Sequence, residues 1–332
     1  MKFKLIIRQI GQWILAVFIS LIICNIFCFA FYIPLEYINI AGGATDGVAY
    51  PNSWCNYAMT EGYGISSIDN LGFPNVYSID RENYILAVGS SHFVGLNLGN
   101  YKKCTDILNS KGVKTYNISK TGFWLTSIVK NFKHITYEFK DSKAIIIETP
   151  ILNYLENEMI ASLEQQEYDE KKTADYLINN ISLNNKLKHL FKSVFPIYSL
   201  IIYKGVIIYE KIFNVKNNDE GQYARYATIE NVIKKIRSEY DKQIIIVSHP
   251  QYKIVDNEKL YFEEDEYSKI YKKICNDNGI DFIDMTDIMQ YEYKINHKLF
   301  HGFNNTSFTE GHLNYFGSKL IANEIERVLN YG

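Results

Sequence analysis

Five short apolar runs, at residues 84 to 88, 113 to 118, 143 to 148, 243 to 248 and 280 to 284, are each bounded by turn residues and mostly separated by stretches of helical periodicity. A strand with one wet face alternates polar and apolar residues; runs that are apolar throughout fit strands covered by helices on both faces. Residues 126 to 139 set Ile128, Val129, Phe132, Ile135 and Phe139 on one side of a helix. Residues 226 to 240 repeat this with Ile229, Val232, Ile233, Ile236 and Tyr240, and the last helix, about 314 to 330, with Phe316, Leu320, Ile321, Ile325, Val328 and Leu329. The pattern predicts an α/β fold: a flavodoxin-like three-layer αβα sandwich around a five-stranded parallel sheet.

Two segments lie outside that alternation. Residues 13 to 34 carry no charge, follow the cationic flank of Lys2, Lys4 and Arg8, and are long enough to span a bilayer as a helix. The stretch exceeds a usual signal-peptide core and lacks a small-x-small cleavage site, so it reads as an uncleaved single-pass anchor in the cytoplasmic membrane with the C-terminal part outside. Residues 150 to 225 hold an acidic part from Glu156 to Lys172, a basic and apolar part from Lys186 to Phe195, and then Leu200 to Phe213, where Lys204, Glu210 and Lys211 argue against a second span. This helical insertion reads as an extra structural layer, or as helices lying over the sheet's active edge or near the bilayer. The expected organisation is residues 1–36 as flank and anchor, 37–83 as a loop-rich lead-in, and 84–332 as the α/β domain with its insertion at 150–225.

The net charge of -2, from 35 basic and 37 acidic residues, offers no basic stripe for nucleic acid. Of five cysteines, Cys24 and Cys28 lie in the apolar run, while Cys55, Cys104 and Cys275 lie beyond it. No pair has metal-site spacing, and no metal or dissociable cofactor is implied. Cys55 and Cys104 are candidates for pairing in an oxidising compartment, or all three remain thiols.

Candidate chemistry begins at Gly89-Ser90-Ser91, just past the first apolar run, where an α/β sheet keeps its reactive groups. A serine hydroxyl needs a base, and His312, in Glu310-Gly311-His312-Leu313-Asn314 ahead of the last helix, is placed to return over it. Glu310 is the candidate orienting acid if its loop bends suitably; a Ser-His dyad is the other option. Gly122, after the second run, and the N–H of Ser91 are candidate oxyanion donors. His249, at the fourth run's end, faces the same edge topologically as a candidate substrate contact, and His92 reads as a neighbour that shapes the pocket.

These blocks resemble the SGNH (GDSL-type) hydrolase superfamily, over about residues 70 to 330 with the insertion excluded. In that family the serine sits in a Gly-Asp-Ser block, a glycine follows the second strand, an asparagine the third, and a late histidine is preceded three residues earlier by aspartate. Here Ser90 replaces the aspartate of the first block, and Gly122 matches the second. Asn153 stands later than the third block wants, with Glu148 nearer the strand end, and Thr309 occupies the position of the late aspartate. Some members that modify envelope polysaccharides carry an acid two residues before the histidine, as Glu310 is. Asn70-Leu71-Gly72-Phe73 also resembles a segment of envelope-associated members.

The resemblance implies a membrane-anchored serine esterase or O-acyltransferase acting on acyl, chiefly acetyl, groups of an envelope or exported glycan, its partners being that substrate and the membrane. The rival readings are a catalytically inactive binding or assembly protein of the same fold and a lipid acyl-hydrolase. Hydrolysis and transfer share every residue named, and oligomeric state has no sequence signal.

Overall fold

The computed structural model describes residues 2–38, 48–57, 61–76, 82–150, 156–163, 168–212, 225–256, 259–262, 265–307, 309 and 311–331. It opens with α1 (Lys2–Phe31), whose segment Ile6–Phe31 has a mean hydropathy of 2.8 and is long and apolar enough to cross a membrane. From Ile6 to Phe31 its side chains are exposed, Trp13 and Ile14 among them, save half-buried Asn25 and buried Cys28, so the cores formed by the described residues do not account for its apolar surface.

Short strands follow in the described residues after α1. β1 (Tyr32–Ile33) runs on directly from α1, β2 (Tyr37–Ile38) pairs with β3 (Val48–Ala49), and β4 (Trp54–Tyr57) pairs on one side with β1 and on the other with β5 (Gly64–Ser67), all antiparallel. Asn56 Nδ2 donates to the Ala30 carbonyl at 2.7 Å, tying this small sheet to the last turn of α1. Strands of two to four residues carry too few alternations for a period to be read from sequence.

The main unit follows as β6 (Ile85–Val88), α2 (Ser91–Val94), α3 (Cys104–Ser110), β7 (Thr115–Asn117), α4 (Leu125–Glu138) and β8 (Ala144–Thr149). After the insertion come α5 (Glu156–Leu163), a 3₁₀ turn, α6 (Ala174–Asn179), α7 (Leu183–Val194), α8 (Pro196–Ile212) and α9 (Tyr226–Glu239). The chain ends with β9 (Gln243–Ser248), the hairpin β10 (Tyr252–Asp256) and β11 (Lys259–Phe262), α10 (Asp265–Asp277), β12 (Asp281–Asp284), α11 (Thr286–Asn296) and α12 (Tyr315–Tyr331). The five central strands are all parallel, in the order β12-β9-β8-β6-β7. Counted along the sheet this is the flavodoxin-like order, with the direction of winding reversing between β6 and β8.

Alternate strand residues feed two cores, as a side-chain period of two requires. Leu86, Val88, Ile145, Ile147, Ile244 and Ile246 pack under α4, α9 and α10, while Ile85, Ala87, Ile146, Ile245 and Val247 pack under α3, α11 and α12. Each fully buried isoleucine or leucine contributes about 1.5–3 kcal/mol relative to exposure. The edge strand β7 is covered by Asn75, whose Nδ2 donates to the Asn117 carbonyl at 3.0 Å and whose Oδ1 accepts the Asn117 N–H at 2.9 Å. Asp69 holds that cover in place, accepting from Asn75 Nδ2, Tyr116 Oη and the N–H groups of Leu71 and Phe73. The turn from Asp69 to Asn75, which contains Asn70–Phe73, thus caps the edge through its two end residues.

The insertion divides its roles. α5 packs against α4 and α9 as an added layer. α7 and α8 instead meet α1, where Asn25 Nδ2 donates to the Val194 carbonyl at 2.9 Å and Asn25 Oδ1 accepts the Ile197 N–H at 3.3 Å. α7 directs two polar side chains inward: His189 Nδ1 lies 2.7 Å from Glu36 Oε2, Lys192 Nζ lies 2.9 Å from Oε1, and His189 stacks on Tyr50. Leu183, Leu187, Leu190, Phe191 and Val194 face outward. The cysteines are free thiols, and burial pushes Cys55 up to about 11 and Cys275 up to about 12.

Candidate active site

β6 delivers the chain into a tight turn at the point where the sheet's winding reverses. Gly89 has no room for a side chain, because a methyl group there would overlap the carboxylate of Glu148 on β8. Ser90 caps α2: its Oγ accepts the His92 N–H at 3.3 Å and donates to Glu148 Oε1 at 3.2 Å, while its N–H donates to Glu148 Oε2 at 2.6 Å. A carboxylate absent from the middle of the Gly-Ser-Ser block is therefore present against it, supplied by the neighbouring strand. With Ser90 fixed, Ser91 begins the helical turn and presents its hydroxyl at the sheet's carboxyl edge.

Ser91 Oγ lies 2.8 Å from His312 Nε2. On the other side of the ring, His312 Nδ1 lies 2.6 Å from Glu61 Oε2, and the His312 N–H donates to Glu61 Oε1 at 2.6 Å. Two charge-assisted bonds to one carboxylate fix both the backbone and the ring of His312. A proton on Nδ1 facing Glu61 leaves the Nε2 lone pair facing the serine, the tautomer that a base requires.

The acid on His312 is thus Glu61, from the turn between β4 and β5, and it takes the place that sequence reasoning offered to Glu310; Glu310 itself lies outside the described residues. Its approach is permitted by Gly311, whose φ of 86° favours glycine and where a methyl group would overlap Glu61 Oε1. The turn is clipped to the loop before His312 by the Gly62 N–H, which donates to Asn305 Oδ1 at 2.8 Å. Asn314, in the same motif as the histidine, caps α12 by accepting the N–H groups of Phe316 and Gly317. Glu61 left no trace in the sequence pattern, since it reaches His312 across 251 positions and from a different sheet.

Gly122 lies in the loop after β7 at φ 74°, and the Lys120 N–H donates to the Gly89 carbonyl at 3.1 Å, holding that loop against the serine turn. Asn153 lies outside the described residues. His249 departs from its expected role as a substrate contact: it is fully buried, with Nε2 2.7 Å from Glu148 Oε1 and Nδ1 3.4 Å from His301 Nε2. The cause is Glu148, a buried carboxylate that needs a donor and finds one on β9's carboxyl end.

His92, His249 and His301 form a buried cluster whose candidate ligand nitrogens lie within 4.8 Å of one another. The donor set fits a metal poorly. His92 Nδ1 accepts the Leu313 N–H at 3.2 Å, which leaves its other nitrogen protonated and without a lone pair to give. The cluster reads better as a hydrogen-bonded ladder in which His301 donates to His249 and His249 to Glu148. Burial, reinforced by the neighbouring histidines, holds His92 and His301 well below the ordinary imidazole range, so both are neutral near pH 7. His92 stands between His312 and His249, with ring centroids 4.9 and 4.8 Å away.

No protein-family model matches the chain, and no curated protein matches it in sequence. Among solved structures it is similar to an acetyl xylan esterase at 13% identity, covering 74% of this chain and 98% of that one with a TM-score of 0.41. A family 3 carbohydrate esterase of Clostridium thermocellum is similar at 11% identity, 75% and 98% coverage and a TM-score of 0.36. For a catalytic mutant of an acetylxylan esterase from Geobacillus stearothermophilus the values are 11%, 76%, 95% and 0.38.

Proposed function

We propose that the chain is a serine esterase or O-acyltransferase of SGNH type that acts on acyl, chiefly acetyl, groups of a cell-envelope or exported glycan, held at the outer face of the cytoplasmic membrane by α1. The observation that carries this reading is the unbroken line from Ser91 Oγ through His312 to Glu61, at 2.8 and 2.6 Å. In the proposed mechanism Ser91 Oγ attacks the ester carbonyl carbon while His312 Nε2 takes its proton and Glu61 stabilises the imidazolium. The N–H groups of Ser91 and Gly122 hold the oxyanion. His312 then protonates the departing alcohol, leaving an acyl-serine; it next takes a proton from water or a sugar hydroxyl as that oxygen attacks the acyl carbon, and returns it to Ser91 Oγ as the acyl–serine bond breaks. The His312 side chain keeps 32% of its surface exposed, and this openness suits an ester borne on a bulky chain.

An inactive scaffold of the same fold would draw on the departures at Thr309 and at the third block around Asn153; the contact of Glu61 with His312 favours the active reading. Full-length protein with p-nitrophenyl acetate and a serine-reactive phosphonate tests the proposal: turnover and labelling at Ser91 are expected, both lost in Ser91→Ala. Unchanged turnover in that variant would sink it. Acetylated oligosaccharide as acceptor product separates transfer from hydrolysis, and fatty acid released from liposomes without acetate released from glycan would point to a lipid ester instead. A C-terminal reporter that works only in the cytoplasm is expected to be silent, and its activity would reverse the proposed orientation.

A further inference from the structure

A cavity of about 820 Å³ lies between the end of α1 and the loops that carry Glu61 and His312. Phe31, the last residue of α1, lines it; so do Gly62, next to Glu61, and Asn314, two residues past His312. Ser91 and His312 do not, so the cavity adjoins the candidate active site without being its reacting pocket. Its walls are mainly apolar, with Leu98, Leu299, Phe303 and Phe316, while Lys102 and Lys298 stand at them and no aspartate or glutamate is among the described lining residues. An open, mainly apolar hollow that also carries asparagine amides and two ammonium groups, with no carboxylate among its described lining residues, complements an amphiphile with an anionic head.

Its setting names the kind of amphiphile. If α1 spans a bilayer, Phe31 lies at the interface, and the cavity opens at headgroup level. α7 supports that placement independently: His189 and Lys192 turn toward Glu36 and Tyr50, while Leu183, Leu187, Leu190, Phe191 and Val194 are exposed together with Lys186 and Lys188, an apolar and basic outer face of the kind that lies on a bilayer surface. Asn25 joins α7 and α8 to α1.

We propose that this cavity binds the phosphate head and first chain segment of a membrane lipid, so that the active site works on a substrate presented from the bilayer surface. This rests on α1 being membrane-embedded, which extraction of membranes with alkaline carbonate tests separately. Full-length protein in detergent micelles, titrated with a fluorescent phosphatidylglycerol, is expected to bind saturably, and Lys102→Gln/Lys298→Gln to bind about 10-fold more weakly or worse. Both lysines are exposed, so an unchanged melting curve checks the variant's fold. Polyprenyl phosphate competing better than unlabelled phosphatidylglycerol assigns a single-chain carrier lipid, and the reverse order assigns a membrane phospholipid; either supports the site. Equal binding by wild type and variant, or displacement of the probe as readily by neutral diacylglycerol or by inorganic phosphate, overturns it. Binding is read without turnover, so an absence of esterase activity would count against the proposed chemistry alone.

Discussion

Glu61 spends both carboxylate oxygens on His312, one on the ring and one on the main chain. Glu61→Gln is therefore expected to lower kcat by about 10²–10⁴, because an amide no longer enforces the productive tautomer, with KM little changed; steady-state rates on p-nitrophenyl acetate measure this. Glu310→Gln is expected to leave kcat within about twofold, there being no second acid to supply once Glu61 is in place. Gly89→Ala pushes a methyl group into Glu148 and displaces the Ser90 turn, and overpacking of this kind costs about 1–3 kcal/mol, to be read from urea unfolding. Ser91 and His312 were legible in sequence because each stands beside a regular element that announces itself. Glu61 was not, since nothing local marks an acid whose partner is brought to it by another sheet, and His249 read as a candidate substrate contact because its pairing with buried Glu148 has no one-dimensional signature.

The strands and helices read correctly from sequence are those sealed in the two cores, β6, β7, β8, β9 and β12 with α4, α9 and α12, where burial imposes a pattern on most positions. Missed were the miniature sheets of the lead-in and the β10–β11 hairpin, whose stability comes from neighbours and whose length holds no period. The Asn75 cover on β7 belongs to this group, being a side chain that does a strand's work. Asn75→Ala removes two bonds to Asn117 and one to Asp69, and leaves buried backbone groups without partners. The expected loss is about 2–4 kcal/mol, with faster amide exchange confined to β7 and the 69–75 segment; uniform exchange would contradict a local cap.

At the scale of the whole molecule, the buried histidines tie stability to pH. His92 and His301 titrate below their unfolded value near 6.5, so the unfolded chain binds more protons as pH falls through that value. Stability is present above it and is lost on acidification, at up to about 1.4 kcal/mol per pH unit for each histidine. Asp69, whose burial raises its carboxyl, works in the opposite sense over the range just above 3.8. Denaturant midpoints are expected to fall steadily below pH 6.5, and His301→Phe to flatten that fall. The small sheet carries a different lesson, because β1 is the direct continuation of α1, β4 pairs with β1, and the turn leaving β4 holds Glu61. The leash thus runs straight into the sheet that positions the catalyst: a chain that begins at Tyr32 keeps β1 and is expected to keep its turnover, while one that begins at residue 40 forfeits β1 and β2 and about 10²-fold of kcat. Release from the membrane by a clip past β1 would set the enzyme free and disarm it in the same stroke.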